Sequence, residues 1–137
     1  MESQAMTPRE TVKSYFGAIT ESRFADAAAF LAPDVTMWIL GEGSWKLGGS
    51  HDRDGVQAIH RLVKDRFPDG LKVILHGIYG EGSEIAVECE TMGTRIDGRR
   101  YNNHYVQIFI VTNGKITARR EYLDTIHADE LLCGPIG

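Results

Sequence analysis

Apolar side chains recur at helical spacing in the first half of the chain and alternate with polar ones through the second half. Val12, Tyr15, Phe16 and Ile19 fall on one face of a 3.6-residue period. Thr7-Pro8-Arg9-Glu10 starts that helix, with a hydroxyl at the cap, Pro at the first helical position and Glu at the third. Phe24, Ala27, Ala28 and Leu31 predict a second, short helix that Pro33 stops. Val35 to Leu40 reads as a strand, with Met37 and Ile39 on one face and Thr36, Trp38 and Leu40 on the other. Gly41 to Asp54 is polar and glycine-rich, and reads as an irregular loop with room for a short strand. It carries Trp45, His51 and Asp52. Asp54 is placed to cap a third helix from about Gly55 to Phe67, which buries Val56, Ile59, Leu62 and Val63 and ends at Pro68-Asp69-Gly70.

From Leu71 the alternation predicts a β-meander with strands near 71–79, 84–95, 100–112 and 115–125. The connections are Gly80-Glu81-Gly82-Ser83, Asp97-Gly98 and Asn113-Gly114. Asp-Gly and Asn-Gly between alternating segments are strong hairpin signals, because these residues tolerate positive φ. His127 to Leu132 reads as a last short helical turn. The order is helix, helix, strand, helix, then four antiparallel strands. It predicts an α+β fold: a curved antiparallel sheet closed by about three N-terminal helices into a cone. No repeat or linker divides the chain, so residues 1–137 read as one domain.

Composition narrows the function classes. Hydrophobic residues make up 42% and charged residues 25% of the chain, values of a globular domain. A formal net charge of -4 leaves no electrostatic footprint for nucleic acid. No apolar run reaches the ~20 residues of a membrane span. No basic segment followed by an apolar core opens the chain, so a cytoplasmic protein is expected. Cys89 and Cys133 lack metal-like spacing, and Cys89 falls on an apolar strand face. The five histidines are scattered, with no pair at ligand spacing on one element, so no metal or cofactor is expected. His60 reads as a solvated helix residue, His104 as a satisfied buried or interface residue, and His51 as part of a loop over a cavity mouth.

The strand from Gly114 to Thr125 departs from a plain core pattern. Arg119, Glu121 and Leu123 share one face, and Arg120, Tyr122 and Asp124 the other, so charge meets apolar side chains on both. Tyr101, Asn103, Tyr105, Gln107 and Phe109 share a face of the preceding strand. Set beside Glu88, Glu90 and Met92 of the strand before it, these residues give two readings. One is a solvated face with cross-strand ion pairs. The other is a polar-aromatic wall (Glu88, Glu90, Met92, Asn103, Tyr105, Arg119, Glu121 and Leu123) facing a small-molecule pocket. In such a pocket a desolvated carboxylate shuttles a proton near neutral pH. Tyr15, Met37 and Ile39 either belong to the core or line the same cavity. Under the pocket reading Glu121 is the acid/base, Glu90 a second carboxylate, and Arg119, Asn103 or Tyr105 orient the substrate.

The run from Val87 through Gly98-Arg-Arg-Tyr101 to Asn103, then Gly114-Lys115-Ile116 and Glu121-Tyr122-Leu123-Asp124, resembles the SnoaL-like branch of the nuclear-transport-factor-2-like superfamily. That group includes polyketide cyclases, ketosteroid isomerase and limonene-epoxide hydrolase. The resemblance implies a cone-shaped fold, commonly dimeric through the sheet, that hosts enzymes and non-enzymes alike. It matches Glu121 to the acidic residue of the last strand that works in the pocket of cyclase and epoxide-hydrolase relatives. It sets Glu88 and Glu90 at the epoxide hydrolase's Arg-x-Asp pair, and Met37 and Ile39 at its water-holding tyrosine and asparagine. The missing cation and water ligands argue against epoxide opening by that route. For an isomerase, Glu90 or Glu121 would be the base, and Tyr15 or Tyr105 would serve the oxyanion hole. The expected activity is proton transfer on a hydrophobic, oxygenated substrate such as a polyketide, steroid-like or terpenoid ketone. A non-catalytic ligand-binding or dimerisation module is the second reading.

Overall fold

A computed structural model describes residues 6–137, and the N-terminal reading that concerns residues 1–5 lies outside them. Helix α1 spans Pro8–Thr20 and α2 spans Phe24–Ala29; strand β1 (Leu31–Ile39) and the short β2 (Gly49–His51) precede helix α3 (Arg53–Arg66). The meander follows as β3 (Lys72–Tyr79), β4 (Glu84–Thr94), β5 (Arg100–Thr112) and β6 (Lys115–Leu123). A short helix α4 (Thr125–Ala128) leads into a wide π turn, Asp129–Cys133. The α+β fold read from the sequence holds: one curved, six-stranded, unclosed sheet in the order β2-β1-β6-β5-β4-β3, with helices over its concave side. No helix among the described residues is long and apolar enough to cross a membrane.

Local chemistry explains most boundaries. The Thr7 hydroxyl accepts from the Glu10 N–H while the Glu10 carboxylate accepts from the Thr7 N–H, a complete capping box. Asp52, not Asp54, caps α3, accepting from the Gly55 N–H at 2.8 Å. Asn113 and Gly114 both take positive φ, 52° and 74°, as the two-residue turn between β5 and β6 requires. β1 begins four residues before the predicted Val35 and runs through Pro33. The Pro is tolerated because the β1–β6 register shifts between Leu31 and Thr36, which excuses that stretch from ladder pairing.

One seam differs from the expected antiparallel pattern. β1 runs parallel to β6, with Met37 opposite Arg119 and Ile39 opposite Glu121. The core fills the concave side, where Val12 and Phe16 of α1 and Val56 of α3 meet Ile85, Val87, Phe109 and Ile116 of the sheet. Phe16, Tyr15 and Phe109 pack edge to face, with ring centroids 5.4 to 6.1 Å apart. At the open end, Arg95 ties the tail down. It is buried, pairs with Asp97 at 2.5 Å, and donates to the carbonyls of Glu130, Leu131, Gly134 and Pro135.

Candidate functional site

From Arg119 onward, beyond the register shift near the start of β6, alternation aims the odd-numbered residues at the helices. Arg119, Glu121 and Leu123 stand there beside Met37 and Ile39 of β1, and opposite Phe109, Gln107 and Tyr105 of β5. Tyr15 of α1 and His60 of α3 form the facing wall. Between them lies a cavity of about 100 Å³. Trp45 and Leu47 of the β1–β2 connection and Leu132 of the π turn also border it, and Arg95 anchors that turn.

Arg119 is a buried cation held by soft partners. Its Nη1 donates to the Tyr15 hydroxyl at 2.7 Å, and its Nε lies 3.1 Å from the Met37 sulfur, which its Nη2 also contacts. The guanidinium carbon sits 5.2 Å from the Tyr15 ring centre and 5.7 Å from that of Phe109. The Tyr15 oxygen lies 3.3 Å from His60 Nε2. Burial, with the Arg119 charge in support, pushes His60 down to about 4, so its ring is neutral at pH 7.

Glu121 is half-buried, two positions along the strand from Arg119, and its carboxylate has no hydrogen-bond partner among the described residues. Desolvation raises its pKa above the ordinary carboxylate range; the positive charge of Arg119 and the His51 ring pull it back in part. Directly across, Gln107 is buried, and its Oε1 accepts no hydrogen bond among the described residues. Its Nε2 makes only a weak 3.8 Å contact to Cys89 Sγ. Burial pushes that thiol up to about 12, so it stays protonated. The cavity thus combines one carboxylate, one fixed cation, a neutral imidazole and an unfilled acceptor within apolar walls.

The SnoaL-like domain model matches residues 12–119. The chain belongs to the SnoaL-like domain family. Solved structures with the same fold include the putative polyketide cyclase IdmH from Streptomyces antibioticus. It is 19% identical, with 95% of this chain and 100% of that one covered at a TM-score of 0.76. A nuclear-transport-factor-2-like protein of unknown function from Burkholderia pseudomallei is 24% identical over 92% and 97% of the two chains, TM-score 0.77. A putative SnoaL-like polyketide cyclase from Jannaschia sp. is 15% identical over 98% and 99%, TM-score 0.74. Among curated proteins none matches in sequence.

In this SnoaL-like chain, seven residues singled out from sequence border the cavity: Tyr15, Met37, Ile39, Tyr105, Arg119, Glu121 and Leu123. Four do not. Glu88, Glu90 and Met92 stand on the convex face, because the β4–β5 hairpin closes with Thr94 opposite Arg100 and therefore pairs residues of like parity. Glu90 lies opposite His104, and Glu88 opposite Val106 and bonded to the Tyr79 hydroxyl at 2.8 Å. The concave side of β4 presents Val87, Cys89 and Thr91 instead. Asn103 faces inward but is spent on structure. It accepts from the Asp124 N–H at 3.2 Å and donates to the Asp124 carbonyl and to the Tyr101 hydroxyl, both at 3.0 Å. Tyr101 in turn shares a 2.5 Å bond with the Tyr105 hydroxyl.

The histidines also moved. His60 is a cavity wall rather than a solvated residue, and its place four residues after Val56 was the available signal. His104 is exposed, not buried, for the same parity reason as Glu90. Gln107 was legible too, since it alternates with Tyr105 and Phe109.

Proposed function

We propose that this SnoaL-like protein catalyses proton transfer on a small, hydrophobic, oxygenated substrate, with Glu121 as the acid/base. The observation that carries the reading is Glu121 itself: a carboxylate of raised pKa with no fixed partner, at an apolar cavity, beside a buried cation. In its ionised form Glu121 takes a proton from a carbon next to a carbonyl. The C–H electron pair moves into the enolate, whose oxygen is stabilised by Arg119 and the Tyr15 hydroxyl that Arg119 polarises. Returning the proton to another carbon gives isomerisation; attack of the enolate carbon on a second carbonyl moves that carbonyl's π pair onto its oxygen, and the resulting alkoxide takes the proton back from Glu121, giving ring closure. The polyketide-cyclase names of two structural relatives agree with the second outcome. A cavity of about 100 Å³ admits only a small ring system as it stands, since ordinary ligand pockets begin near ~300 Å³.

The test pairs a thermal-shift screen of cyclic ketones and lactones with NMR in D2O. A compound that raises the melting temperature should also gain deuterium next to its carbonyl. The rate should rise with pH through the elevated Glu121 pKa, because the base is the ionised form. Binding without exchange would instead favour a non-catalytic ligand carrier.

Gln107 sharpens the ligand. Its buried, unfilled Oε1 suits a substrate hydroxyl or N–H donor. Gln107→Leu should weaken a hydroxylated ligand about tenfold, roughly the worth of one buried hydrogen bond. The ligand-free melting temperature should not fall. Equal affinity of both proteins, by calorimetry, would remove Gln107 from recognition.

The convex sheet face supports a homodimer. Trp38, Tyr122, Ile108 and Ile110 lie there partly exposed, Val106 is 43% exposed, and Trp38 and Tyr122 pack edge to face at 5.5 Å. Ile108→Glu puts a charge in that patch while leaving Arg120 opposite as a partner. Light scattering should show it monomeric where the native chain is a dimer; an unchanged mass would discard this interface.

A further inference from the structure

The convex face also gathers a second set of reactive side chains, away from the cavity. His76 on β3, Glu90 on β4 and His104 on β5 come from three adjacent strands, and their ligating atoms all lie within 4.8 Å of one another. His76 Nε2 is 3.0 Å and His104 Nε2 3.6 Å from Glu90 Oε1. The two imidazole rings are nearly parallel, 15° apart, with centroids at 6.3 Å.

The backbone arranges this. Glu90 and His104 are direct register partners. His76 is the extra residue where the β3–β4 register shifts between Leu75 and Gly77, and a bulge of this kind re-aims a side chain. The sequence hides the set because each ligand sits on a different strand.

We propose that His76, Glu90 and His104 form a three-ligand site for a divalent transition-metal ion, with Zn2+ as the representative ion. Tetrahedral zinc with nitrogen and oxygen ligands near 2.0–2.2 Å places neighbouring ligand atoms about 3.3 Å apart. The 3.0 and 3.6 Å to Glu90 bracket that value, and the two imidazole ligand atoms lie within 4.8 Å of each other, so an ion is seated by drawing the two rings together. The donor set excludes other classes of ion. Two imidazoles suit zinc, nickel, cobalt or copper, whereas magnesium and calcium take oxygen ligands. With three protein ligands the fourth position is left to water. In the single chain the His104 side chain is 75% exposed and leaves the ion a path in. Bound there, it cross-links three strands of the sheet.

The experiment is titration of the tag-free, full chain with ZnCl2 by calorimetry, and with CoCl2 by visible absorption, which reports coordination directly. The native chain should bind one ion per chain and melt at a higher temperature with zinc. His76→Ala and His104→Ala should each weaken binding by at least about tenfold, as should Glu90→Gln. His127→Ala should bind like the native chain. All of these side chains are at or near the surface, and ion-free melting temperatures close to native would show that the variants fold. Ile108→Glu should bind equally well, because one copy supplies all three ligands. Unchanged affinity in either histidine variant would overturn the proposal. So would unchanged affinity in Glu90→Gln, or binding that disappears in the Ile108→Glu protein.

Discussion

Replacing Glu121 with Gln should lower turnover by about 10²- to 10⁴-fold, the usual share of a general acid/base, while substrate affinity stays within a few-fold. The amide keeps the shape and loses the titrating oxygen, so the fold and the Arg119–Tyr15 pair remain. Stability should move the other way. The pKa of Glu121 is raised in the folded state, chiefly by desolvation. Below the unfolded-state value, near ~4.3, both states are protonated and the residue costs nothing. As pH rises through the folded value, ionisation favours the unfolded chain, and the full penalty is present above it. Glu121→Gln should therefore melt higher than the native chain at neutral pH and equally at pH about 3.5. A protein that turns over normally would take Glu121 out of the chemistry. One without a pH-dependent stability gain would contradict the desolvated carboxylate.

Arg95→Met should be strongly destabilising. Methionine fills similar space but offers no donor, and the carbonyls of Glu130, Leu131, Gly134 and Pro135 lose a shared charged partner. Stranding such groups costs about 3 kcal/mol, or roughly 10 °C in melting temperature for a domain of this size. Arg95 also holds Asp97 well below the usual carboxylate range, through their hydrogen bonds and with help from the Gly137 and Arg99 N–H groups. That contribution is present above the unfolded Asp value and is lost as pH falls through the depressed folded one. The native chain should thus lose stability in strong acid in a way that Arg95→Met does not. Thermal melts between acid and neutral pH check both parts. Because Leu132 borders the cavity, the same substitution should weaken ligand binding as well. A melting temperature within two or three degrees of native (about 1 kcal/mol) would show that the clamp is dispensable.

The meander was legible because its turns are chemical signals: Gly98, Asn113 and Gly114 adopt the positive φ that glycine and asparagine tolerate. The concave face of β6 was legible because Arg119, Glu121 and Leu123 keep strict alternation. The faces of β4 were misassigned because alternation fixes which residues share a face, but not which face looks inward. The hairpin closure, Thr94 opposite Arg100, decides that. The apolar set Ile85, Val87 and Cys89 carried the right answer, since the more apolar face normally goes to the core. Asn103 was correctly placed and wrongly employed, for nothing in alternation distinguishes a side chain free for ligand from one bonded to Asp124. The His76-Glu90-His104 set depends on a strand irregularity that no short-range pattern announces.

The parallel seam between β1 and β6 has a consequence for how the molecule forms. Met37 meets Arg119 across 82 positions of chain, whereas β4, β5 and β6 are joined by short hairpins. Closing so long a loop is entropically expensive, and local hairpins form first. In the folded chain β1 covers the edge of β6 that carries Arg119 and Glu121, so the longest-range closure of the sheet is also the contact that shields the candidate acid/base and its cation from water.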